Sequence, residues 1–520
     1  MNTSTSSDTS STPKVIAKLD LGLDRITSVL SLLNNPHYSY PCIHIAGTNG
    51  KGSVCSYLDY ILRYSNLKVG KFVSPYLCYP SDAITINGIE ISSDKWNELL
   101  TRIMNINYEL TTFELWTIIA FLYFQLEQID IAIIEVGVGG RGDATNVIPS
   151  PVASVITSIS NDHIELLGPT LADISRHKAG IIKSRLSFTT NTTTNTTNIT
   201  KNINFSQQIT NIDDYTDEDY IRYGITIISP HMNPIATEVI QNECLEKQSL
   251  LIQPLCIELL DKNDSIQIQD IKEKYLSAPN LSSLPFHTRW VRDKHHNIIV
   301  PLTLQGSFQL DNCTIALTTI YGLIKQQNRY PYFKQITTET IIQGLSQVKW
   351  KGRLEWVTMQ ANTTNSTLDF LLDGGHNEGA LPLVKETIHS ILSNPETKKQ
   401  KPVVYIYGAT GSRSLTNLLP LLFEPGDIVY TVPFSTPEGM PWIKSYTAEA
   451  ISNIITSLFP NNNSNADNKS SSSISIYPCS SLQEAVNKIS EHPIYSQSSI
   501  LRVCCGSLYL VAEAYRTTIK

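Results

Sequence analysis

The sequence predicts an α/β protein of two domains, each built on a largely parallel sheet, and three observations predict it. Short β-branched runs, apolar on both faces, alternate with amphipathic helical stretches, as strands of a helix-covered parallel sheet must. The alternation restarts with a second set of runs after a stretch near residues 346 to 356, SQVKWKGRLEW. At 520 residues the chain is also long enough for two or three cores.

The elements follow in order. CIHIAG (42–47) reads as a strand, TNGKG (48–52) as a glycine-rich turn, and SVCSYLDYILRY (53–64) as a helix with Val54, Leu58, Ile61 and Leu62 on one face. ELWTIIAFLYFQLEQ is a helix, and IAIIEVG and VASVITSIS are further strands. In GPTLADISRHKAGIIK, Thr170 is the expected N-cap, Asp173 completes a capping box, and Gly180 suits the C-terminal exit. The second set comprises LDFLLD, VVYIYGA, DIVYTVPF, SISIYP and ILRVCCG. Polar, aromatic-poor tracts at 1–16, about 187–206 and about 460–474 are expected to be a disordered tail and two surface insertions. The expected domains are therefore 17–345 and 346–520.

Composition excludes several classes. A formal charge of −7 argues against nucleic acid as a partner, which needs a basic excess. No apolar run reaches the ~18 residues of a membrane span. Nine scattered cysteines without a CxxC argue against a disulfide scaffold or zinc site, so a cytoplasmic setting is expected. The Ser/Thr-rich start lacks the apolar core of a secretory signal, contains Asp8 and no Arg, and leaves a mitochondrial pool open.

Six segments carry chemistry. The turn TNGKG aims backbone N–H groups and a helix N-terminus at one point, and Lys51 adds a mobile positive charge, together suited to phosphate. It departs from Walker A, since Gly52 follows the lysine and Ser53 comes one place late. An ordinary turn with a surface lysine is the plainer reading. Glu135 ends an apolar strand, where open α/β sheets bind ligands and where Mg²⁺ finds oxygen ligands; the alternative is an ion pair with Arg141. Asn161, Asp162 and His163 follow the next strand, so that the imidazole can ligate a metal, hold an acid in place, or be structural. Lys178 falls on the apolar face with Leu171 and Ile174, opposite Asp173, Arg176 and His177, either snorkelling or buried with its charge removed or paired. Asp373 and His376 sit at a strand end in a glycine-rich loop suited to ribose or phosphate, and Arg353 follows the domain boundary, where it can reach an interdomain cleft.

Together HIAGTNGKGS, SPYL…ITING, IIEVGVGGRGDATNV, SNDHIELLG, KAGIIK, GSFQLDN, GRLE and LDGGHN resemble, in order, the folylpolyglutamate synthase/dihydrofolate synthase family of the Mur ligase superfamily, from about residue 20 to 516. The resemblance implies a P-loop NTPase-like ATP-binding domain with a parallel sheet and a C-terminal Rossmann-like domain. It implies ATP-dependent ligation of L-glutamate to a pterin-linked carboxylate through an acyl phosphate. SPYLCYPSDAITING, PEGMPWI and CGSLYLVAE are closer to the fungal dihydrofolate synthase branch, whose carboxylate substrate is 7,8-dihydropteroate, than to folylpolyglutamate synthases, which extend tetrahydrofolate. Carried over by position, Thr48, Asn49, Gly50, Lys51, Gly52 and Ser53 form the phosphate loop. Asn312, Arg353, Asp373 and His376 match adenine, phosphate and ribose contacts. Ser74 and Glu135 match the ligands of one Mg²⁺, and Glu135, His163 and Lys178 those of a second, with Lys178 matching a carbamylated lysine. Lys51, Glu135, His163 and Lys178 are the expected catalytic set, and the family is usually monomeric. Three departures stand out: Gly142 where Leu is usual, Phe308 where many members have His, and Asn161 before Asp-His. A non-catalytic nucleotide-binding regulator and a P-loop kinase are the readings from other classes. Retention of Lys51, Glu135, His163 and Lys178 speaks against the first, and glutamate dependence would exclude the second.

Overall fold

The computed structural model describes residues 15–16, 20–106, 108–185, 211–261, 264–276, 284–285, 287–460 and 473–517. The tract expected at about 187–206, most of that at about 460–474 and residues 1–14 of the expected tail lie outside the described residues. Val15–Ile16, expected in the disordered tail, instead form a short strand paired in parallel with Leu110–Thr111.

Nineteen strands are described, in chain order β1 (Val15–Ile16), β2 (Cys42–Ala46), β3 (Val69–Phe72), β4 (Ile84–Ile86), β5 (Ile89–Glu90), β6 (Leu110–Thr111), β7 (Ile131–Glu135), β8 (Ala153–Ile156), β9 (Gly224–Ile228) and β10 (Ser249–Ile252). They continue as β11 (Ile257–Leu259), β12 (Arg289–Asp293), β13 (Ile298–Leu302), β14 (Arg353–Gln360), β15 (Thr367–Asp373), β16 (Gln400–Tyr407), β17 (Ile428–Thr431), β18 (Ser475–Pro478) and β19 (Ile500–Cys505).

The larger sheet runs β10-β9-β8-β2-β7-β3-β4-β5. It is parallel from β10 through β3, and β4 and β5 add an antiparallel edge. The second sheet runs β14-β15-β19-β16-β17-β18 and is parallel except for β14. β2, β7 and β8 are buried along their whole length, so both faces must be apolar, which is why their sequences read as continuous runs. The helix Lys51–Tyr64 buries Val54, Leu58, Ile61 and Leu62 against the larger sheet, and Tyr57 and Cys55 as well, so its apolar surface is wider than one face.

A small antiparallel sheet β11-β12-β13 was not expected. Pro301 sits within β13, and proline argues against a strand except at an edge, which β13 is. Among the described residues no helix is long and apolar enough to cross a membrane.

The strand order matters for chemistry. β8, β2, β7 and β3 are neighbours and parallel, so their carboxyl ends share one edge of the sheet. Gly47–Lys51, Glu135, Ser74 and Ser158–His163 all leave from that edge. In the second sheet β15, β19 and β16 are likewise neighbours, and they deliver Asp373–Asn377, Gly506–Ser507 and Gly408–Arg413 to one edge.

Candidate active site

The turn after β2 leads straight into a helix because Gly50 takes a left-handed conformation (φ 91°) as its N-cap, leaving the first N–H groups of Lys51–Tyr64 without side-chain caps. A Cβ at Gly50 would run into Asn312 Oδ1, and one at Gly52 would lie 2.6 Å from the Trp350 ring. The loop is strapped to the segment after β8: Thr48 N–H donates to Ser158 O (2.7 Å), and Thr48 Oγ1 exchanges 3.1 Å hydrogen bonds with the Ser160 backbone.

Lys51 Nζ lies 3.8 Å from Glu135 Oε1 and donates to Thr48 O (3.3 Å). Burial raises the Glu135 pKa, and Lys51 opposes the rise. The alternative partner is excluded, because Arg141 pairs with Glu243 at 3.0 Å. Ser74 N–H donates to Glu135 Oε2 (3.4 Å), while Ser74 Oγ is buried with no hydrogen-bond partner. Such a group needs an explanation, and a missing ligand is one.

Lys178 is buried rather than snorkelling, and its Nζ donates to Gly47 O at 2.7 Å. Burial, with Lys51 nearby, lowers its pKa to about 7. The capping box of Thr170 and Asp173 forms as expected, on the helix Leu171–Ala179. Gly180 is required for a different reason than helix exit: its φ is an ordinary −59°, but a Cβ there would meet Arg141 Cβ at 2.5 Å.

His163 adopts a left-handed backbone (φ 52°) and its side chain is 40% exposed. Partial burial lowers its pKa, helped by Arg413, Lys178 and Lys51, against the pull of Asp162 3.8 Å away. Against the penalty of its own burial, Asp162 is held down to about 2 by His163 and Arg413.

Asn312 and Ser53 join through Gln309: Asn312 Nδ2 donates to Gln309 Oε1 (3.1 Å), and Gln309 Nε2 to Ser53 Oγ (3.3 Å). Ser53 Oγ thus accepts from the helix Gln309–Ile324, with its own O–H still able to donate. On the second sheet, Asp373 Oδ1 and Oδ2 accept from Gly375 N–H (2.6 Å) and Leu354 N–H (3.0 Å). Burial raises its pKa and Arg353 opposes this. His376 Nδ1 lies 2.8 Å from Gly374 O, and burial lowers its pKa to about 4, so the ring is neutral. Arg353 Nη1 donates to Gly352 O (3.3 Å), and its charge opposes the burial-driven rise at both Asp373 and Glu135.

The two sheets meet over the phosphate loop, where Arg413 reaches Asp162 and Asn377 pairs with Asn49. In an acidic chain, this cleft gathers Lys51, Lys178, Arg353 and Arg413 against Glu135, Asp162 and Asp373. Among the described residues no group of three His, Cys, Asp or Glu could hold a metal, so a metal here needs Ser74 or a changed Lys178. Sequence reasoning missed Arg413 and Asn377 as site residues: Arg413 Nη1 donates to Asp162 Oδ1 (3.0 Å), and Asn377 and Asn49 exchange amide hydrogen bonds. Both lie in loops at the carboxyl ends of parallel strands, which was the available signal.

A family model described as the Mur ligase middle domain matches residues 45–226, and one described as dihydrofolate synthetase, C-terminal domain, matches 355–517. The chain is 31% identical over 444 residues to a dihydrofolate synthetase of Saccharomyces cerevisiae, covering 84% of this chain and 87% of that one. It is 29% identical over 504 residues to a probable dihydrofolate synthetase of Schizosaccharomyces pombe, covering 96% and 98%. A Mycobacterium tuberculosis folylpolyglutamate synthase solved with ADP and AMPPCP has the same fold (TM-score 0.66, 22% identity, 95% and 94% covered).

Proposed function

The chain belongs to the dihydrofolate synthetase and folylpolyglutamate synthase family of Mur-type ligases, and on that premise we propose that it joins L-glutamate to 7,8-dihydropteroate at the expense of ATP. The observation that carries the reading is the Lys51–Glu135–Lys178 cluster beneath an uncapped helix N-terminus, at the edge where the two sheets meet. A carboxylate is a poor electrophile. Transfer of the γ-phosphoryl group of ATP to its oxygen releases ADP and leaves an acyl phosphate. The glutamate amine then adds to the carbonyl carbon, loses a proton, and expels phosphate to form the amide.

The N–H groups of the first turn after Gly50 receive the phosphate oxygens, and Lys51 neutralises charge that grows between β- and γ-phosphates. Arg353, at the start of β14, supplies a further positive charge from the second sheet, felt at Glu135. Asp373, whose oxygens already hold the strand-end backbone, fixes the loop that presents the neutral His376. Asn312 lies against Gly50 on the nucleotide side. Sheet by sheet, we read 17–345 as carrying the phosphates and 346–520 as closing over them.

The residues present fit one divalent cation well. The unpartnered Ser74 hydroxyl and the Glu135 carboxylate are hard oxygen donors on adjacent strand ends, the set Mg²⁺ prefers. When bound, that ion would screen the crowded phosphate and carboxylate oxygens. A second site of Glu135, His163 and Lys178 requires Lys178 to lose its charge. With its pKa lowered to about 7 by burial, much of the amine is neutral at physiological pH and can add CO₂, forming a carbamate and releasing one proton. We place the protein in the cytoplasm as a monomer, a reading that rests on the family resemblance and is in keeping with the free cysteines among the described residues.

The test is direct. Purified protein with ATP, Mg²⁺ and glutamate should release ADP and form dihydrofolate when dihydropteroate is supplied. Turnover with tetrahydrofolate alone would make it a folylpolyglutamate synthase. No glutamate-dependent ADP release with either substrate would leave the nucleotide-binding regulator.

A further inference from the structure

The two sheets are joined over the phosphate loop by four polar side chains. Asp162, on the larger-sheet side, receives Arg413 Nη1 on Oδ1 (3.0 Å) and Asn377 Nδ2 on Oδ2 (3.4 Å). Asn377 Nδ2 also reaches Asn49 Oδ1 (3.1 Å), and Asn49 Nδ2 returns to Asn377 Oδ1 (3.4 Å). Arg413 and Asn377 come from different loops of the second sheet. Asn49 belongs to the phosphate loop, and Asp162 immediately precedes His163.

Each partner is itself held. Asn377 Oδ1 accepts from Ala380 N–H (2.9 Å), which fixes the amide's orientation. Tyr446 OH donates to Arg413 O (3.0 Å), and Gly411 N–H to Lys444 O (2.7 Å), so the arginine's loop is pinned to its own body. The approach is close: a Cβ at Gly379 would stand 2.9 Å from Asn49 Nδ2 and 3.1 Å from Ser160 Oγ. Partly buried ion pairs of this kind add little net stability, because desolvation offsets attraction, but they specify one arrangement over others. A polar bridge can also be broken and remade in water, as a cleft that must admit three substrates requires.

We propose that Arg413 is a positioning residue for the ligation, holding the second sheet against the phosphate loop through Asp162 while the Asn49–Asn377 pair sets the register. It acts on the reaction through Asp162 and the loop. Its effect is on the fraction of molecules in which both sheets face the nucleotide together. For turnover the proposal rests on the ligase reading; for closure it does not.

The experiment uses the full chain with saturating ADP and compares the parent with Arg413→Ala, Arg413→Lys and Asn377→Ala. Small-angle X-ray scattering should show a larger radius of gyration for Arg413→Ala, with Arg413→Lys between it and the parent. In the glutamate-dependent assay, kcat should fall roughly 5- to 150-fold for Arg413→Ala, the usual span of a coupling between sites, with KM for ATP changed much less. Arg413→Lys should recover part of the loss. A kcat within twofold of the parent for Arg413→Ala overturns the proposal. So does a large loss of kcat with an unchanged radius of gyration, since Arg413 would then act on the reactants directly. If the parent shows no ligase activity, the functional reading falls, and the scattering result still decides the bridge.

Discussion

Over the phosphate loop the two bodies touch through Asn49, Asp162, Asn377 and Arg413, all polar. Around the segment that begins at Ser74 they touch through rings and backbone. There Tyr76 packs edge-on to Trp116 (5.5 Å), and its hydroxyl donates to Glu438 O. Gly439 lies against Trp116, and Arg516 Nη1 donates to Cys78 O (3.1 Å). The first seam orients and the second adheres. Apolar contact is worth free energy in proportion to its area, whereas exchanging water for polar partners is nearly neutral and highly directional. Ser74 belongs to both worlds: its segment is docked on the adhesive seam while its backbone N–H donates to Glu135.

The comparison can be broken at either seam. The largest effect is expected beneath the polar one. Lys51→Ala and Glu135→Ala should each lower glutamate-dependent ADP release on the order of 10³-fold or more while leaving the thermal midpoint nearly unchanged. Near-normal rates would remove these residues from the chemistry. At the adhesive seam, Trp116→Ala should destabilise the fold by about 3–5 kcal/mol in urea titrations, because the ring is buried and its loss leaves a cavity. An unchanged midpoint would mean that the seam contributes orientation only.

Lys178→Ala should cost on the order of 10²-fold in kcat, with partial rescue by short carboxylic acids such as acetate. Full activity without rescue would dismiss the carbamate. The pH dependence has a definite sign. An amine with its pKa near 7 loses its proton as pH rises, so activity should climb between pH 6 and 8 and respond to added bicarbonate.

A smaller contrast is expected from salt. At 1 M the Debye length falls to about 3 Å, which should loosen the Asp162–Arg413 seam in scattering and leave the Trp116 contact intact. The smallest is acid. Asp162 is depressed to about 2, so its contribution is complete above the unfolded value of ~3.9 and is lost as pH falls through 2. Asp162→Asn should abolish that part of the acid dependence of stability, and an unaltered profile would dissociate Asp162 from Arg413.

What could be read in the chain was local. Gly50 and Lys51 announce their turn because the conformation and the charge are needed within a few residues of a strand end. Glu135 and Asp373 each close an apolar run, and the helix face of Lys178 left snorkelling or burial open, of which the structure has burial. The Asp162–Arg413 contact spans 251 positions, and Asn49–Asn377 spans 328, so no window of sequence contains both partners. Gly180 shows a subtler miss. Its position at the helix end was readable, but the reason for glycine is the backbone of Arg141 pressed against it from another loop. β13 was missed because Pro301 is tolerated only at a sheet edge, and edge status belongs to the assembled sheet.

The contact between Gly52 and Trp350 bears on how such a loop can change over evolutionary time. A Walker-type loop places a hydroxyl directly after its lysine, and here that is position 52. Any side chain there would begin 2.6 Å from the half-buried indole, over which Lys71 Nζ lies 5.5 Å from the ring centre. A single substitution to Ser or Thr at 52 is therefore a collision, and no one-step route leads from this loop to the Walker spelling. A paired change, opening position 350 first, would be required. As long as the tryptophan stays, selection on a hydroxyl for this site can act only elsewhere in the chain, and position 74 is where an unspent one is found.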